Sequence, residues 1–389
     1  MTTPDPLPAI VPAVLACRDE RTAAVVDLGA VAANVAALRA AAAPSAVWAV
    51  VKADGYGHGA QACARAALAG GAAGLCVAVI DEGAALRVAG ITAPVLVLSE
   101  APPAAADGLV ARRLSAVAYT PGYIDALGAA ATRAGIVQRV HLKVDTGMHR
   151  VGAHPAEALA LARRIDLHPA LELEGVMTHL AVADEPDDPF TDAQLDALDA
   201  VMAELRAEGI DPPMVHAANS AGALAHARAR HSAVRCGIAV YGVVPGPGVA
   251  ELCGPLRPAL RWVARVSYVK RVPEGDRISY GLRHRFTRPT TVATVPVGYA
   301  DGVPRRLHAV GGEVLIGGRR RRIVGVVTMD QLMADCGDDP VAPGDEVVLL
   351  GDQGSERVSP EEWGERLGTI GYEIVCGIGA RVPRVYLPA

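Results

Sequence analysis

The chain has 389 residues and a formal net charge of -5, and 51% of its residues are apolar although only 4% are aromatic. This length allows two domains with cores built mainly of Ala, Val and Leu. The acidic balance, with Arg319–Arg322 as the one basic run, argues against nucleic acid as the main partner, and we expect those arginines on a solvated hairpin.

The apolar stretch at residues 9–17 lacks the features of a targeting or membrane segment. It is interrupted by Pro12, is too short to span a bilayer and follows Asp5 rather than a basic region. The seven cysteines form no CxxC pair and no zinc-binding spacing, which favours a reducing compartment and predicts no metal site. We therefore expect a cytoplasmic protein that does not contact membranes.

The first predicted elements are a strand at residues 23–28 and a helix at residues 31–41. From residue 46 to about 240, Val-, Ile- and Leu-rich runs alternate with segments of helical period, which is typical of a parallel sheet with crossover helices. The runs predicted as strands lie at residues 47–51, 75–79, 95–98, 116–119, 140–144, 173–178, 214–217 and 233–238. Eight such units close a (β/α)8 barrel of the TIM type.

The domain boundaries follow from this count and from a change of pattern. The strand at 23–28 would be a ninth, so we assign residues 1–29 to the other domain and residues 30–250 to the barrel, which ends at a Pro- and Gly-rich linker. Residues 251–389 are predicted as a mostly β C-terminal domain. Its expected elements are strands at 262–272, 291–297, 321–327 and 346–350, and a helix at 360–367 with a capping box of Ser359 and Glu362.

Lys52 is the sharpest candidate for chemistry. It ends the run AVVK before the glycine-rich loop ADGYGHG, and so lies at the carboxyl end of the first barrel strand, where barrel enzymes form their sites. A desolvated lysine amine is a nucleophile that can form a Schiff base with an aldehyde. A lone lysine at such a position would more commonly extend into solvent.

Polar residues also follow the later barrel strands. Lys143 and Arg150 follow the fifth strand, and Arg150 could bind a carboxylate with its fork of donors or remain a surface arginine. His179 follows the sixth strand and could be functional or a satisfied core histidine. Asn219 and Ser220 begin a helix after the seventh strand, where free N–H groups suit either a phosphate or simple capping.

Arg235 lies within the eighth strand, and three further candidates occur in the second domain. The motif ISYG predicts that Tyr280 lies in a short strand, where packing is the simplest role. The segments VGYADG at 297–302 and TMDQ at 328–331 could be surface turns or parts of a site. Composition alone does not decide between these readings.

Taken together and in order, these motifs resemble those of the alanine racemase family, two-domain enzymes that use pyridoxal 5'-phosphate (PLP). The matching motifs, between residues 23 and 386, are VVKADGYGHG, LKVDTGMHRVG, THLAVADE, HAANSAG, RCGIAVYG, ISYG, VPVGYADG, TMDQLM, GTIGYE and RVPR. Each is weak alone, but the ordered series is specific. The resemblance implies a PLP-binding barrel, a β domain that takes the first strand, and an obligate homodimer with shared active sites.

The resemblance also implies roles for individual residues. Lys52 corresponds to the Schiff-base lysine, and Tyr280 to the opposite base, which reaches into the partner subunit's site. Arg235 matches the arginine that faces the pyridine nitrogen, and His179 the residue that supports it. The other implied cofactor contacts are Tyr56, Asn219, Ser220, Gly237, Ile238 and Tyr372. The implied substrate contacts are Arg150, Tyr299 and Met329, and Lys143 matches a lysine that is carbamylated in some members.

These roles imply an isomerase that interconverts L-alanine and D-alanine and supplies D-alanine for peptidoglycan in the cell wall. Inversion needs removal of the α-proton from one face and its return on the other, which one base cannot easily perform. A broader racemase that also accepts serine is an alternative. The chain departs from the common family pattern at Asp54–Gly55, His149 and Thr328.

Three other activities fit the pattern less well. A PLP-dependent decarboxylase shares both domains but needs a carboxylate to protonate the pyridine, where this chain has Arg235. A non-catalytic PLP carrier would not need the domain that bears Tyr280. A hydrolase with two metal ions bridged by a carbamylated Lys143 would need clustered histidines, and the chain has no HxH pair beside that lysine.

Overall fold

A computed structural model of the chain describes residues 21–388, so the apolar stretch at 9–17 lies outside the described residues. The described chain divides into two compact units, a barrel unit of residues 30–257 and a β unit of residues 21–29 and 258–388. Within this range, no helix combines the length and the apolar character that crossing a bilayer requires.

The barrel unit contains one eight-stranded sheet in which all neighbouring strands are parallel. Its strands are β2 Ala46–Val50, β3 Gly74–Val77, β4 Val95–Val97, β5 Ser115–Ala118, β6 Gln138–Lys143, β7 Leu171–Met177, β8 Met214–His216 and β9 Ala233–Cys236. They follow the order β8-β7-β6-β5-β4-β3-β2-β9. Between β8 and β9, Arg235 N donates to Ala218 O at 2.9 Å and Ser232 N to Val215 O at 3.2 Å. The prediction of a (β/α)8 barrel is confirmed.

Helices alternate with these strands because the segments between them carry an apolar face and local start and stop signals. In the helix after β5, the side chain of Thr120 caps the first turn, Pro121 occupies the first position, and Gly135 ends it at φ 63°. The helices of the barrel unit are Leu28–Ala42, Ala60–Ala69, Ile80–Val88, Ala106–Ala111, Pro121–Ala134, Ala158–Asp166, Phe190–Ala207 and Ser220–Ala225.

The barrel unit ends later than we expected, at residue 257 rather than 250. The buried side chain of Asn34 explains the difference. Its Nδ2 donates to Arg257 O at 2.8 Å and to Val240 O at 3.0 Å, while its Oδ1 accepts from Arg257 N at 2.8 Å. Because these bonds satisfy buried backbone groups, they hold residues 251–257 against the barrel.

The β unit is built on one large sheet that includes the first strand of the described chain. β1 Thr22–Asp27 lies between an antiparallel neighbour, β10 Leu260–Arg265, and a parallel one at the end of the chain. The other strands are β11 Tyr268–Val272, β12 Arg277–Ile278, β13 His284–Arg285, β14 Thr290–Val295, β15 Glu313–Ile316, β16 Arg319–Ile323, β17 Leu332–Gly337, β18 Glu346–Gln353, β19 Glu356–Val358 and β20 Arg384–Leu387. Helices Pro360–Leu367 and Gly371–Cys376 follow β19.

The single strand predicted at 262–272 is two strands. β10 pairs with β18, whereas β11 pairs with β14. Between them, Val266 N donates to Asp345 O and Ser267 N to Thr294 O, each at 2.9 Å. The chain therefore breaks where it leaves one neighbouring strand for another.

The arginine run and the predicted capping box also differ from expectation. Ser359 does cap the helix, accepting from Glu362 N at 3.2 Å, but the carboxylate of Glu362 binds Arg320 at 2.8 Å and Arg366 at 3.1 Å instead of completing a box. Arg321 is only 8% exposed and lies 2.6 Å from Asp339. The hairpin exists, and Arg319 and Arg322 are exposed as expected, whereas Arg321 and the half-buried Arg320 pair with carboxylates of the same unit.

Candidate active site

Lys52 is separated from the end of β2 by one residue and begins a turn whose backbone is in the left-handed conformation. The next four residues, Ala53, Asp54, Gly55 and Tyr56, have φ values of 51°, 51°, 63° and 53°. Only glycine takes this left-handed conformation without penalty, and each of the other three residues costs about 1–2 kcal/mol there. The glycine-rich loop predicted after Lys52 is therefore a strained turn.

Two carboxylates hold this turn, one from a later segment and one from the turn itself. Glu82 Oε1 accepts from Ala53 N at 2.7 Å, and Asp54 Oδ1 accepts from Ala60 N at 2.8 Å. Both acceptors are carboxylates, which form stronger hydrogen bonds than neutral oxygens. Strain of this kind persists where surrounding contacts fix the backbone, and it is concentrated at functional sites.

Two hydroxyl groups meet at one glycine near the end of β9. Ser220 Oγ accepts from Gly237 N at 2.9 Å, and a side chain at residue 237 would place its Cβ 2.4 Å from Tyr56 Oη. Ser220, Gly237 and Ile238 are buried, and Asn219 caps the adjacent helix by accepting from Gly222 N at 2.9 Å. The structure thus brings Tyr56, Ser220 and Gly237 together in an anion cradle, the name used below for these three residues.

The guanidinium of Arg235 is buried in the barrel, and none of its described hydrogen-bond acceptors is a carboxylate. Its five acceptors are His216 Nδ1 and O, at 2.8 and 2.9 Å, Thr178 O at 2.8 Å, Ala217 O at 3.1 Å and His179 Nδ1 at 3.2 Å. All five bind the two terminal nitrogens, so within the described contacts Nε–H is left for another acceptor. Burial lowers the pKa of Arg235 to about 10, which keeps the group protonated at neutral pH.

The two histidines that contact Arg235 are neutral. Burial and the charge of Arg235 hold the pKa of both His179 and His216 well below the usual value. Because an arginine can only donate, each histidine must accept at Nδ1 and carry its proton on Nε2. The structure therefore places His179 beside Arg235, where the sequence analysis expected it.

A second pair of residues extends this arrangement away from Arg235. His216 Nε2 lies 2.9 Å from His141 Nδ1, and His141 Nε2 lies 2.9 Å from Glu174 Oε2. The sequence analysis assigned no role to His141 or Glu174. A signal was present, because His141 alternates with Lys143 in the strand HLK and so shares its face.

Lys143 ends β6 and is 5% exposed. Burial, together with the positive charges of Arg235 and Arg150, lowers its pKa to about 8. Asp145, in the loop that carries Arg150, accepts from Gly147 N and from His149 N, each at 3.0 Å. The barrel unit thus contains a cluster of positive groups with one partly neutral lysine among them.

Tyr280 belongs to the β unit and does not lie in a strand as predicted. β12 ends at Ile278, and Tyr280 begins a short 3-10 turn flanked by Ser279 at φ 65° and Leu282 at φ 47°. Ser279 Oγ donates to Val326 O at 2.7 Å, which fixes this strained segment. The side chain of Tyr280 is 71% exposed.

The other candidates of the β unit lie on two loops and a helix. Tyr299 N donates to Thr328 O at 2.9 Å, and Ala300 N to Met329 O at 3.0 Å, so the predicted loops at 297–302 and 328–331 are in contact. Tyr372 lies in the helix Gly371–Cys376. Tyr299 and Met329 are therefore brought together. Tyr280 lines a cavity with Thr328, and Tyr299 lines another with Glu373 of the helix that carries Tyr372.

Both units match family models that describe one kind of enzyme. Residues 26–245 match the alanine racemase N-terminal domain and residues 259–386 the alanine racemase C-terminal domain. The alanine racemase of Symbiobacterium thermophilum is 50% identical over 366 residues, which cover 94% of this chain and 97% of the relative. That of Frankia casuarinae is 46% identical, with 95% and 97% of the two chains covered.

Solved structures give the same result. The alanine racemase of a D-cycloserine-producing Streptomyces lavendulae superposes with a TM-score of 0.90 at 42% identity, covering 95% of this chain and 97% of that one. The Bacillus anthracis alanine racemase with bound L-Ala-P gives a TM-score of 0.88 at 38% identity, with 95% of each chain covered. The chain belongs to the alanine racemase family, whose members are isomerases.

Proposed function

We propose that the protein interconverts L-alanine and D-alanine with PLP as its cofactor, and that Lys52 and Tyr280 exchange the α-proton on opposite faces of the substrate. The observation that carries this proposal is the buried Arg235, whose described contacts leave Nε–H for an acceptor inside the barrel. The product D-alanine would supply peptidoglycan synthesis in the cytoplasm.

The residues of the barrel unit fit PLP. Because Ser220 Oγ accepts from Gly237 N, its own hydrogen is left to donate to a phosphate in the anion cradle, and Gly237 leaves space that any Cβ would fill, 2.4 Å from Tyr56 Oη. Lys52 would bond to the aldehyde carbon, and Arg235 would face the ring nitrogen. Bound PLP withdraws electron density from the α-carbon of an amino acid, which makes the α-proton acidic.

Arg235 would select the reaction. A guanidinium can donate a hydrogen bond but has no proton to give up at neutral pH, so it would leave the ring nitrogen unprotonated. It would thereby limit electron withdrawal, which favours proton exchange over transamination and disfavours the decarboxylase alternative. His179 and His216 support this role, because both are neutral acceptors that orient the guanidinium.

Lys52 and Tyr280 would act as the two bases. The amine of the substrate would replace Lys52 on the aldehyde carbon, which would free the amine of Lys52 to remove or return the α-proton on one face. The phenol of Tyr280, from the partner subunit, would do so on the other face. The high exposure of Tyr280, 71%, supports a position that a second subunit covers. A homodimer with shared active sites would then be obligatory for activity.

Arg150, Tyr299 and Met329 would contact the substrate, with Arg150 binding its carboxylate. Because its pKa is about 8, Lys143 is partly neutral near pH 7 and could react with CO2. We propose that it carries a carbamate whose negative charge orients Arg150. Protein incubated with carbon-13 bicarbonate should then show a carbamate NMR signal that Lys143→Ala lacks, and its absence from the unaltered protein would refute the modification.

The reaction is tested by incubating the purified protein and PLP with L-alanine while optical rotation and CO2 are followed. We expect racemisation without CO2. Release of CO2 would indicate a decarboxylase, and the absence of both racemisation and CO2 would indicate a carrier. Comparable turnover of L-serine would favour the broader racemase. The chain has three lysines, so borohydride reduction should label Lys52 and leave Lys143 and Lys270 unlabelled.

The shared site is tested by mixing two inactive variants, Lys52→Ala and Tyr280→Phe. If each site takes one base from each subunit, a mixed dimer contains one intact site and one with both defects. Random mixing should then restore about a quarter of the activity of the unaltered protein. No recovery after confirmed subunit exchange would refute the contribution of Tyr280 to the partner subunit.

A further inference from the structure

We propose that Glu174 is a positioning residue that acts on Arg235 through His141 and His216. The inference rests on the proposed function, because it takes Arg235 as the group that faces the cofactor. The four residues come from β7, β6, β8 and β9 and form one hydrogen-bonded chain inside the barrel unit, called the relay below.

Arg235 at one end of the relay and Glu174 at the other determine which atom donates in each of its hydrogen bonds. Arg235 can only donate, so neutral His216 accepts at Nδ1 and must donate from Nε2 to His141 Nδ1. His141 then carries its proton on Nε2 and donates it to Glu174 Oε2. A carboxylate can only accept, so Glu174 imposes the same direction that Arg235 imposes. No other assignment of the imidazole protons satisfies all three bonds.

The surroundings of the relay are fitted to it. A Cβ at residue 175 would lie 2.5 Å from His141 Nδ1, so the imidazole occupies space that only a glycine leaves. Ser115 Oγ donates to Glu174 Oε2 at 2.9 Å, and Arg139 lies 3.4 Å from Oε1. Burial would raise the pKa of Glu174, but the hydrogen bonds from His141 and Ser115 lower it below its usual value. The carboxylate is therefore ionised at neutral pH.

The relay places a negative charge at the end remote from Arg235. The five acceptors of Arg235 are neutral, and Lys52 and Arg150 add positive charge around His179. An ionised Glu174 polarises His141, which makes His216 a stronger acceptor for Arg235. Glu174 thus holds the guanidinium in one orientation through the two imidazoles. Direct contact with the carboxylate would instead neutralise the charge of Arg235 and weaken its hydrogen bond to the cofactor.

The first test uses the apoprotein and needs no cofactor. In protein with nitrogen-15 histidine, we expect slowly exchanging Nε2–H signals from His141 and His216. Glu174→Ala should shift or remove both signals, because His141 loses its acceptor. Glu172→Ala is the matched control: Glu172 lies on the same strand and contacts Arg139 at 3.7 Å, but it has no described bond to His141. Its spectrum should be that of the unaltered protein.

The second test uses the holoenzyme with PLP. Glu174→Ala should lower kcat for alanine about 3- to 10-fold, the effect of one lost hydrogen bond, while KM changes by less than about twofold. It should also shift the long-wavelength absorption band of bound PLP and raise the fraction of turnovers that end in transamination. Glu172→Ala should change none of these quantities.

Glu174→Gln keeps the test decisive if Glu174→Ala does not fold. The amide oxygen can still accept from His141, so both imidazole signals should remain, with the His141 proton displaced because its acceptor is no longer charged. Unchanged imidazole signals in every Glu174 variant would overturn the proposal, as would altered signals with an unchanged PLP band and kcat. Failure of the unaltered protein to bind PLP would instead refute the proposed function, and the apoprotein signals would still decide whether the relay exists.

Discussion

Arg320 of the β unit and Arg235 of the barrel unit are held by opposite kinds of partner. In the β unit, Arg320 lies 2.8–3.1 Å from three carboxylates, those of Glu313, Glu356 and Glu362. In the barrel unit, the fully buried Arg235 contacts only neutral acceptors, and the negative charge of Glu174 reaches it through two imidazoles. A carboxylate that pairs directly with an arginine neutralises its charge and stabilises the fold. An arginine held by neutral groups keeps a positive charge that can act on a ligand.

This contrast predicts that variants of the barrel site alter chemistry and variants of the β unit alter stability, except at Tyr280 and at the proposed substrate contacts Tyr299 and Met329. Tyr280→Phe should lower racemisation about 10²- to 10⁴-fold, because the phenol oxygen is the proposed base, while the PLP colour remains. The measurement is turnover in both directions. Tyr268→Phe, another exposed tyrosine of the same unit at 57%, is the control and should retain turnover. Normal racemisation by Tyr280→Phe would remove this residue from the mechanism.

A smaller effect is expected in the anion cradle of the barrel unit. Gly237→Ala adds a Cβ 2.4 Å from Tyr56 Oη, so either the tyrosine or the backbone must move. We expect the Kd for PLP to rise about tenfold, because the loss of one hydrogen bond to a charged phosphate weakens binding by about that factor. Fluorescence titration of the apoprotein measures it. Gly122→Ala, where nothing lies within 4 Å of the added Cβ, should bind PLP normally. Unchanged affinity in Gly237→Ala would argue against a phosphate at this position.

The smallest effect on chemistry is expected for the β-unit ion pairs. Arg320→Ala should lower the free energy of unfolding by about 1 kcal/mol, because its half-exposed pairs are screened by water, and should leave kcat unchanged. Urea unfolding and racemisation assays on the same preparation separate the two quantities. Arg357→Ala, which loses one exposed pair with Asp352, should cost less. A loss of kcat with unchanged stability in Arg320→Ala would contradict the division between the units.

Sequence patterns predicted the barrel because its strands are almost wholly buried and its helices are amphipathic, so hydrophobic period alone locates them. All eight predicted barrel strands overlap the observed ones. The break between β10 and β11 was missed, because apolar residues continue through residues 262–272 and only the change of neighbouring strand separates the two halves. Residues 251–257 were assigned to the wrong unit, since the bonds that hold them come from Asn34, over 200 residues earlier.

At the candidate site, the motifs identified Lys52, Arg235 and His179, but not the backbone that presents Lys52. Alanine disfavours left-handed φ values and aspartate adopts them mainly as a single residue, so the consecutive pair Ala53–Asp54 depends on Glu82, which follows the next barrel strand. The relay was missed for a related reason. The register between neighbouring strands decides which side chains meet inside a barrel. The sequence of a single strand does not determine that register.

The position of β1 between two strands from the other end of the chain has a consequence for synthesis on the ribosome. Thr22 is paired with Ala264 and Ala24 with Arg384, so at 5–20 residues per second this apolar strand must wait roughly 10–50 s for β10 and roughly 20–70 s for β20. While the barrel strands are being synthesised, the nascent chain exposes an unpaired, aggregation-prone edge, AAVV. The order of translation thus makes this protein dependent on shielding of its N-terminal segment, a need that a circular permutant starting at residue 30 would remove.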